Sequence, residues 1–182
     1  PDAMLIPVGD GVIISGIHKA FRDLRAAGLA ERLPRLVAVQ AESSAAIHDF
    51  IASGTFRPAP APATIADSIS VSVPSNADLA RRAVLESGGF SITVGDERIM
   101  EAQVLLAGRA GVFAEPAAAA GLAALLTAEV RDRLDPESQI VLLVTGHGLK
   151  DVEAPLARLR IPEAIPADIA ALPEDLAGPA ER

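Results

Sequence analysis

The chain has 182 residues, 50% of them hydrophobic but only 3% aromatic, no cysteine, and a formal net charge of −8 at pH 7. This is enough apolar material for one core built from Ala, Val, Ile and Leu. The acidity argues against a nucleic-acid partner, the absent thiols remove disulfide frameworks and thiolate metal sites, and Gly, Arg or Asp interrupt every apolar run short of the roughly 18–20 residues of a membrane span. The expectation is a soluble, cytoplasmic protein with no export leader.

The first element is the apolar strand Met4-Leu5-Ile6-Pro7-Val8, which runs into Gly9-Asp10-Gly11 and then Val12-Ile13-Ile14. A parallel-sheet strand this close to residue 1 usually has neighbours made by earlier chain, which suggests a start inside a larger domain. Residues 13–28 read as a helix from Ile14, Ile17, Phe21 and Leu24, with Gly28 suited to its stop. Leu36-Val37-Ala38-Val39-Gln40 is a second strand, followed by Ala41-Glu42 and a helix near 44–52. This β-α-β-α order favours parallel pairing with right-handed crossovers. The proline-rich stretch 57–62 predicts a surface excursion, because Pro fixes φ and lacks a donor.

Residues 76–87 read as a helix and 90–94 as an alternating strand, and Asp96 is expected to cap the next helix. A brief strand is expected at 111–114, and then Pro116 opens an alanine-rich helix to about Leu134. A buried strand, Gln139-Ile140-Val141-Leu142-Leu143-Val144, ends in Thr145-Gly146-His147-Gly148-Leu149-Lys150-Asp151. Residues 1–152 therefore form the main domain, and 153–182, with Pro155, Pro162, Pro166 and Pro173, a short helix and a wrapping tail.

Two strand exits stand out, because ligands of open α/β sheets sit beyond the carboxyl ends of the strands. The first, through Gly9, Asp10, Gly11, Val12 and Ile13, places unpaired amides and a helix N-terminus together, the elements of an anion site. Its spacing fits neither the dinucleotide nor the P-loop pattern, and on spacing alone an ordinary glycine turn between strand and helix is the favoured reading. Asp10 is expected to cap the helix. Thr145, at the second exit, offers a hydroxyl either to a turn or to a ring nitrogen. His18, His48 and His147 lie on separate elements without metal-site spacing, and Lys19 and Lys150, the two lysines, both read as solvated surface.

Taken together, Pro7-Val8-Gly9-Asp10-Gly11, Leu36-Val37-Ala38-Val39-Gln40-Ala41-Glu42, Thr64-Ile65-Ala66-Asp67-Ser68-Ile69, Val112-Phe113-Ala114-Glu115-Pro116-Ala117 and the turn from Thr145 to Asp151 resemble the C-terminal half of the threonine synthase family. The resemblance implies an α/β three-layer sandwich with a mostly parallel sheet, part of the tryptophan-synthase-β type (fold type II) of pyridoxal-phosphate enzyme. It implies pyridoxal 5'-phosphate as cofactor, residues 1–152 as part of the large cofactor-binding domain, phosphate contacts at Gly9, Asp10, Gly11, Val12 and Ile13, and Thr145 on the pyridine nitrogen. The Schiff-base lysine is expected upstream, in a missing N-terminal half. The implied parent is a lyase of threonine biosynthesis, converting O-phospho-L-homoserine and water to L-threonine and phosphate; this chain alone is expected to be inactive. Alternatives are a serine or threonine dehydratase relative, against which the turn from Thr145 counts, and a non-catalytic half. The partners implied are a small amino-acid substrate, the complementary half and a homodimer.

Overall fold

The computed structural model describes residues 1–156 and residue 164. Four parallel strands make the sheet: β1 (Ala3–Pro7), β2 (Arg35–Ala41), β3 (Phe90–Val94) and β4 (Ile140–Leu142), in the spatial order β3-β2-β1-β4. Leu5 is in register with Val37 on one side and Leu142 on the other, and Val39 with Ile92. The helices are α1 (Val12–Ala26), α2 (Ala46–Ser53), α3 (Ala77–Glu86), α4 (Asp96–Ala110), α5 (Pro116–Leu125), α6 (Ala128–Arg133) and α7 (Glu153–Leu156).

The layering follows from crossover handedness. The chain moves outward from β1 to β2 to β3, then reverses to place β4 on the far side of β1. Right-handed crossovers put the connecting helices on one face for the outward steps and on the other for the return. Strand side chains alternate between the two cores accordingly. Met4, Ile6, Leu36 and Ala38 pack with Ile14, Ile47, Ala80 and Val84 of α1, α2 and α3, while Leu5, Val37, Val39 and Ile92 pack with Ile99 of α4 and Ala117, Ala120 and Ala124 of α5. The alanines let α5 lie close on the sheet, with Gly121 so near that an added Cβ would stand 3.5 Å from the Leu5 carbonyl oxygen. Complete burial of Leu5 and Ile6 contributes about 1.5–3 kcal/mol each.

Several local expectations need correction. The alanine-rich helix stops at Leu125, and a new one starts because the Thr127 hydroxyl accepts from the Val130 amide, 3.3 Å away, as an N-cap. Residues 111–114 form no strand; only an antiparallel bridge joins Ala114 to His147. The segment 139–144 forms a strand over Ile140–Leu142, and among the described residues β4 is a half-exposed edge rather than a buried strand. Gly95, not Asp96, occupies the N-cap of α4. The Asp96 carboxylate instead accepts from Thr64 Oγ1 and from the Ile65 amide, tying the segment after the proline-rich excursion to the start of α4. A 3₁₀ turn, Glu42–Ser44, precedes α2, which begins at Ala46. The expected tail at 153–182 lies, beyond α7, outside the described residues apart from residue 164.

Behind the first exit, α1 and α3 meet at His18, which is 5% exposed, with Nε2 3.3 Å from Glu86 Oε2. Burial pushes the imidazole below its ordinary range, Glu86 opposes this, and Arg22 and Arg82 reinforce it.

A candidate cofactor site between two strand exits

The sheet order reverses between β1 and β4, so the crevice beyond their carboxyl ends is the topological switch point where α/β sheets bind ligands. There the structure opens a cavity of about 300 Å³, lined from the first exit by residues 7–14 and from the second by Thr145 and Lys150, with Ser68, Ile69 and Glu115 between them. Thus Gly9, Asp10, Gly11, Val12, Ile13 and Thr145, distant in the chain, border one space.

The glycine side is a backbone construction. Gly11 is the N-cap of α1 at φ +84°, with no side chain capping the helix, so the first-turn amides are left to whatever occupies the cavity. A side chain at Gly11 would meet Ala80 Cβ at 2.8 Å and the Asn76 carbonyl oxygen at 3.0 Å; one at Gly9 would stand 3.1 Å from Ile69 Cα and from the Ser68 carbonyl oxygen. Asp10 does not cap α1 as expected. Its carboxylate accepts from the Ser75 amide at 3.0 Å and its carbonyl from the Asn76 amide at 2.9 Å, so the acid is spent on the neighbouring loop. Val12 and Ile13 are about half exposed, and α-helix geometry keeps their amides directed along the axis whatever side chain they carry.

Beneath this turn lies a residue that the sequence reading missed. Gln40, completely buried at the end of β2, donates from Nε2 to the Val8 carbonyl at 3.2 Å, and its Oε1 accepts from the Ile47 amide at 3.0 Å and the His48 amide at 2.8 Å. One side chain therefore ties the approach to the glycine turn to the start of α2. The one signal was an amide closing an otherwise apolar strand.

The second exit is held by the segment before α5. Glu115 donates its amide to the Gly146 carbonyl at 3.0 Å, and Gly148 donates to the Phe113 carbonyl at 2.7 Å. Lys150, exposed as expected of a residue after a turn, is nevertheless committed: its Nζ stands 2.9 Å from Oε2 of the buried Glu115. Lys19 lies on the exposed face of α1, paired with Asp23. No cluster of three or more His, Asp or Glu suited to a metal occurs among the described residues, and no described helix is long and apolar enough to cross a membrane.

An uncapped helix N-terminus and a threonine that line one switch-point cavity suit a ligand with an anionic end and a polar ring. Residues 1–146 match the family model of the pyridoxal-phosphate dependent enzymes, and the chain belongs to that family. Among its relatives are the threonine synthases of Methanocaldococcus jannaschii, 36% identical over 93% of this chain and 42% of theirs, and of Methanosarcina acetivorans, 36% identical over 100% and 45%. The chain thus spans less than half the length of these curated relatives. Solved structures with the same fold include a threonine deaminase from T.th. (TM-score 0.65, 28% identity, 80% of this chain and 49% of that one), and the threonine synthase of Escherichia coli (0.57, 28%, 89% and 37%). Maize serine racemase is a third (0.66, 26%, 80% and 42%). The fold is that of the fold-type II pyridoxal-phosphate enzymes, as the sequence motifs imply.

The residues present fit the family's cofactor. The helix terminus offers donors to a phosphate, Asp10 is turned to the 75–76 loop, and the remaining acid of the lining, Glu115, carries its own counter-ion.

Proposed function

We propose that the chain is the part of a threonine synthase that forms one wall of its pyridoxal-phosphate site, the parent enzyme converting O-phospho-L-homoserine and water to L-threonine and phosphate. The observation that carries this is the meeting of the turn at residues 9–13 with Thr145 in one cavity. The threonine synthase relatives support the choice of reaction.

When bound, pyridoxal phosphate supplies an electron sink that makes carbons near the substrate amino group acidic. The amides of Gly9, Asp10, Gly11, Val12 and Ile13 grip its phosphate, aided by the positive end of α1. The Thr145 hydroxyl meets the ring nitrogen. A neutral partner leaves that nitrogen largely unprotonated, which moderates the sink in a way a carboxylate would not. In this reading the Schiff-base lysine belongs to the rest of the parent enzyme, as the family resemblance implies, and Lys19 and Lys150 serve in ion pairs with Asp23 and Glu115.

A second reading, a threonine or serine deaminase, draws support from the likeness to the solved threonine deaminase. The experiment that decides is an assay of the protein expressed from its own gene with each substrate. Phosphate and threonine released together from O-phospho-L-homoserine support the synthase. A 2-keto acid formed from threonine or serine, without phosphate release from phosphohomoserine, overturns it.

A further inference from the structure

Glu115 is unusual in this cavity. Its side chain is 5% exposed, it neighbours the space assigned to an anionic ligand, and the cation paired with it among the described residues is Lys150, itself 61% exposed. A buried carboxylate with no partner there would cost several kcal/mol and would repel a phosphate. The turn that carries Thr145 is fitted around this acid. A Cβ on Gly146 would fall 2.1 Å from Glu115 Oε1, so it would displace that carboxylate, and one on Gly148 would fall 2.6 Å from the Phe113 ring; the two glycines let the turn lie close on residues 113–115. The hydrogen bonds from the Glu115 amide to the Gly146 carbonyl and from the Gly148 amide to the Phe113 carbonyl fix one end, and the ammonium of Lys150 closes over the acid at the other. Glu115 and Lys150 also border a second cavity of about 350 Å³, whose other lining residues are Asp67, Ser68, Pro116, Ala117 and Asp151.

We propose that Lys150 and Glu115 are a positioning pair: the ammonium neutralises the buried carboxylate and pins the Thr145 turn to the start of α5, which sets the Thr145 hydroxyl opposite the glycine turn. This role rests on the cofactor reading above for its consequence, but the pinning itself belongs to the ligand-free chain. Neither residue needs to touch the cofactor.

The test uses the protein expressed from its own gene, stripped of pyridoxal phosphate and then titrated with it, as wild type, Lys150→Met, Lys150→Arg and the double variant Glu115→Gln/Lys150→Met. Two quantities are read: amide hydrogen exchange of residues 146–150 in the stripped protein, and the affinity and absorption maximum on adding the cofactor back. Lys150→Met should speed exchange in that segment, weaken affinity about tenfold and shift the absorption maximum, because it leaves one partner of a charge pair behind. The double variant removes the stranded charge and should return both readouts to within about threefold of wild type, with Lys150→Arg close to wild type. Unchanged exchange and affinity in Lys150→Met would overturn the pair, as would a double variant no better than the single one, the pattern of a lysine that contacts the ligand directly. If Lys150→Met does not fold, recovery of folding in the double variant supports the pair and continued failure overturns it. A wild-type protein that takes up no pyridoxal phosphate defeats the cofactor reading, while the exchange comparison still decides the pair.

Discussion

On the β1 side of the cavity the available groups are main-chain amides, set by Gly9, Gly11 and the buried Gln40, whereas on the β4 side the available group is one hydroxyl on a half-exposed edge, set by Glu115 and Lys150. The difference bears on tolerance. Amide donors survive changes of side chain, so the exposed Asp10, Val12 and Ile13 leave the donors of the turn in place. A hydroxyl does not survive its own replacement, and the turn that carries Thr145 is held both by backbone hydrogen bonds to residues 113–115 and by the Glu115–Lys150 ion pair.

Breaking the β1 side through its conformation should have the largest effect. Gly11→Ala forces a Cβ into a left-handed backbone at φ +84° and against Ala80, and should lower stability by roughly 3–4 kcal/mol, read as the midpoint of urea unfolding. A midpoint equal to wild type would show that the turn relaxes freely. Gln40→Leu is next. It strands the Val8 carbonyl and the Ile47 and His48 amides in the core and should cost about 2–3 kcal/mol in the same measurement.

Across the cavity, Thr145→Val keeps the shape and deletes one hydroxyl. Stability should stay within about 0.5 kcal/mol. Pyridoxal-phosphate affinity should fall about tenfold, with a shifted absorption maximum; unchanged values would remove Thr145 from the site.

His18 sharpens the comparison, because it braces α1 from behind without touching the cavity. Its folded-state pKa is lowered chiefly by burial, so the unfolded chain binds this proton more readily. The stabilisation is full above about pH 6.5 and is lost as the pH falls from there through the lowered folded value. Glu86, whose carboxyl is held below its ordinary range first by the hydrogen bond from Arg82, titrates in a more acidic window. Unfolding free energies measured between about pH 7 and pH 5.5 should therefore decline in wild type and decline less in His18→Gln. Equal slopes would contradict the buried-imidazole origin. Asp10→Asn should have the smallest effect, under about 0.5 kcal/mol, since an amide oxygen can accept from Ser75 as the carboxylate does.

Most of the fold was legible because its signals are local. Apolar runs of strand length, helical spacing at Ile14, Ile17 and Phe21, and Pro116 at a helix start follow from backbone and burial rules that act within a few residues. What was misread depends on distant partners. The apolar residues 139–144 look buried, yet β4 is an edge because only β1 pairs with it in the described residues. Asp96 has the sequence of a cap and is used by Thr64 and Ile65 instead. Both corners of the cavity were readable as strand exits, but the side chains that hold them were not: Gln40 bridges two elements across the β1 exit, and Lys150 finds Glu115 from beyond two helices and a strand. Lys150 looked like ordinary surface since exposure and pairing are independent properties.

The most direct measurement is an experimental structure of the protein expressed from its own gene with pyridoxal phosphate bound. The phosphate should lie within hydrogen-bonding distance of amides in residues 9–13 and the ring nitrogen within hydrogen-bonding distance of Thr145 Oγ1. A phosphate held elsewhere, or a ring nitrogen facing a different group, would contradict the two-exit site.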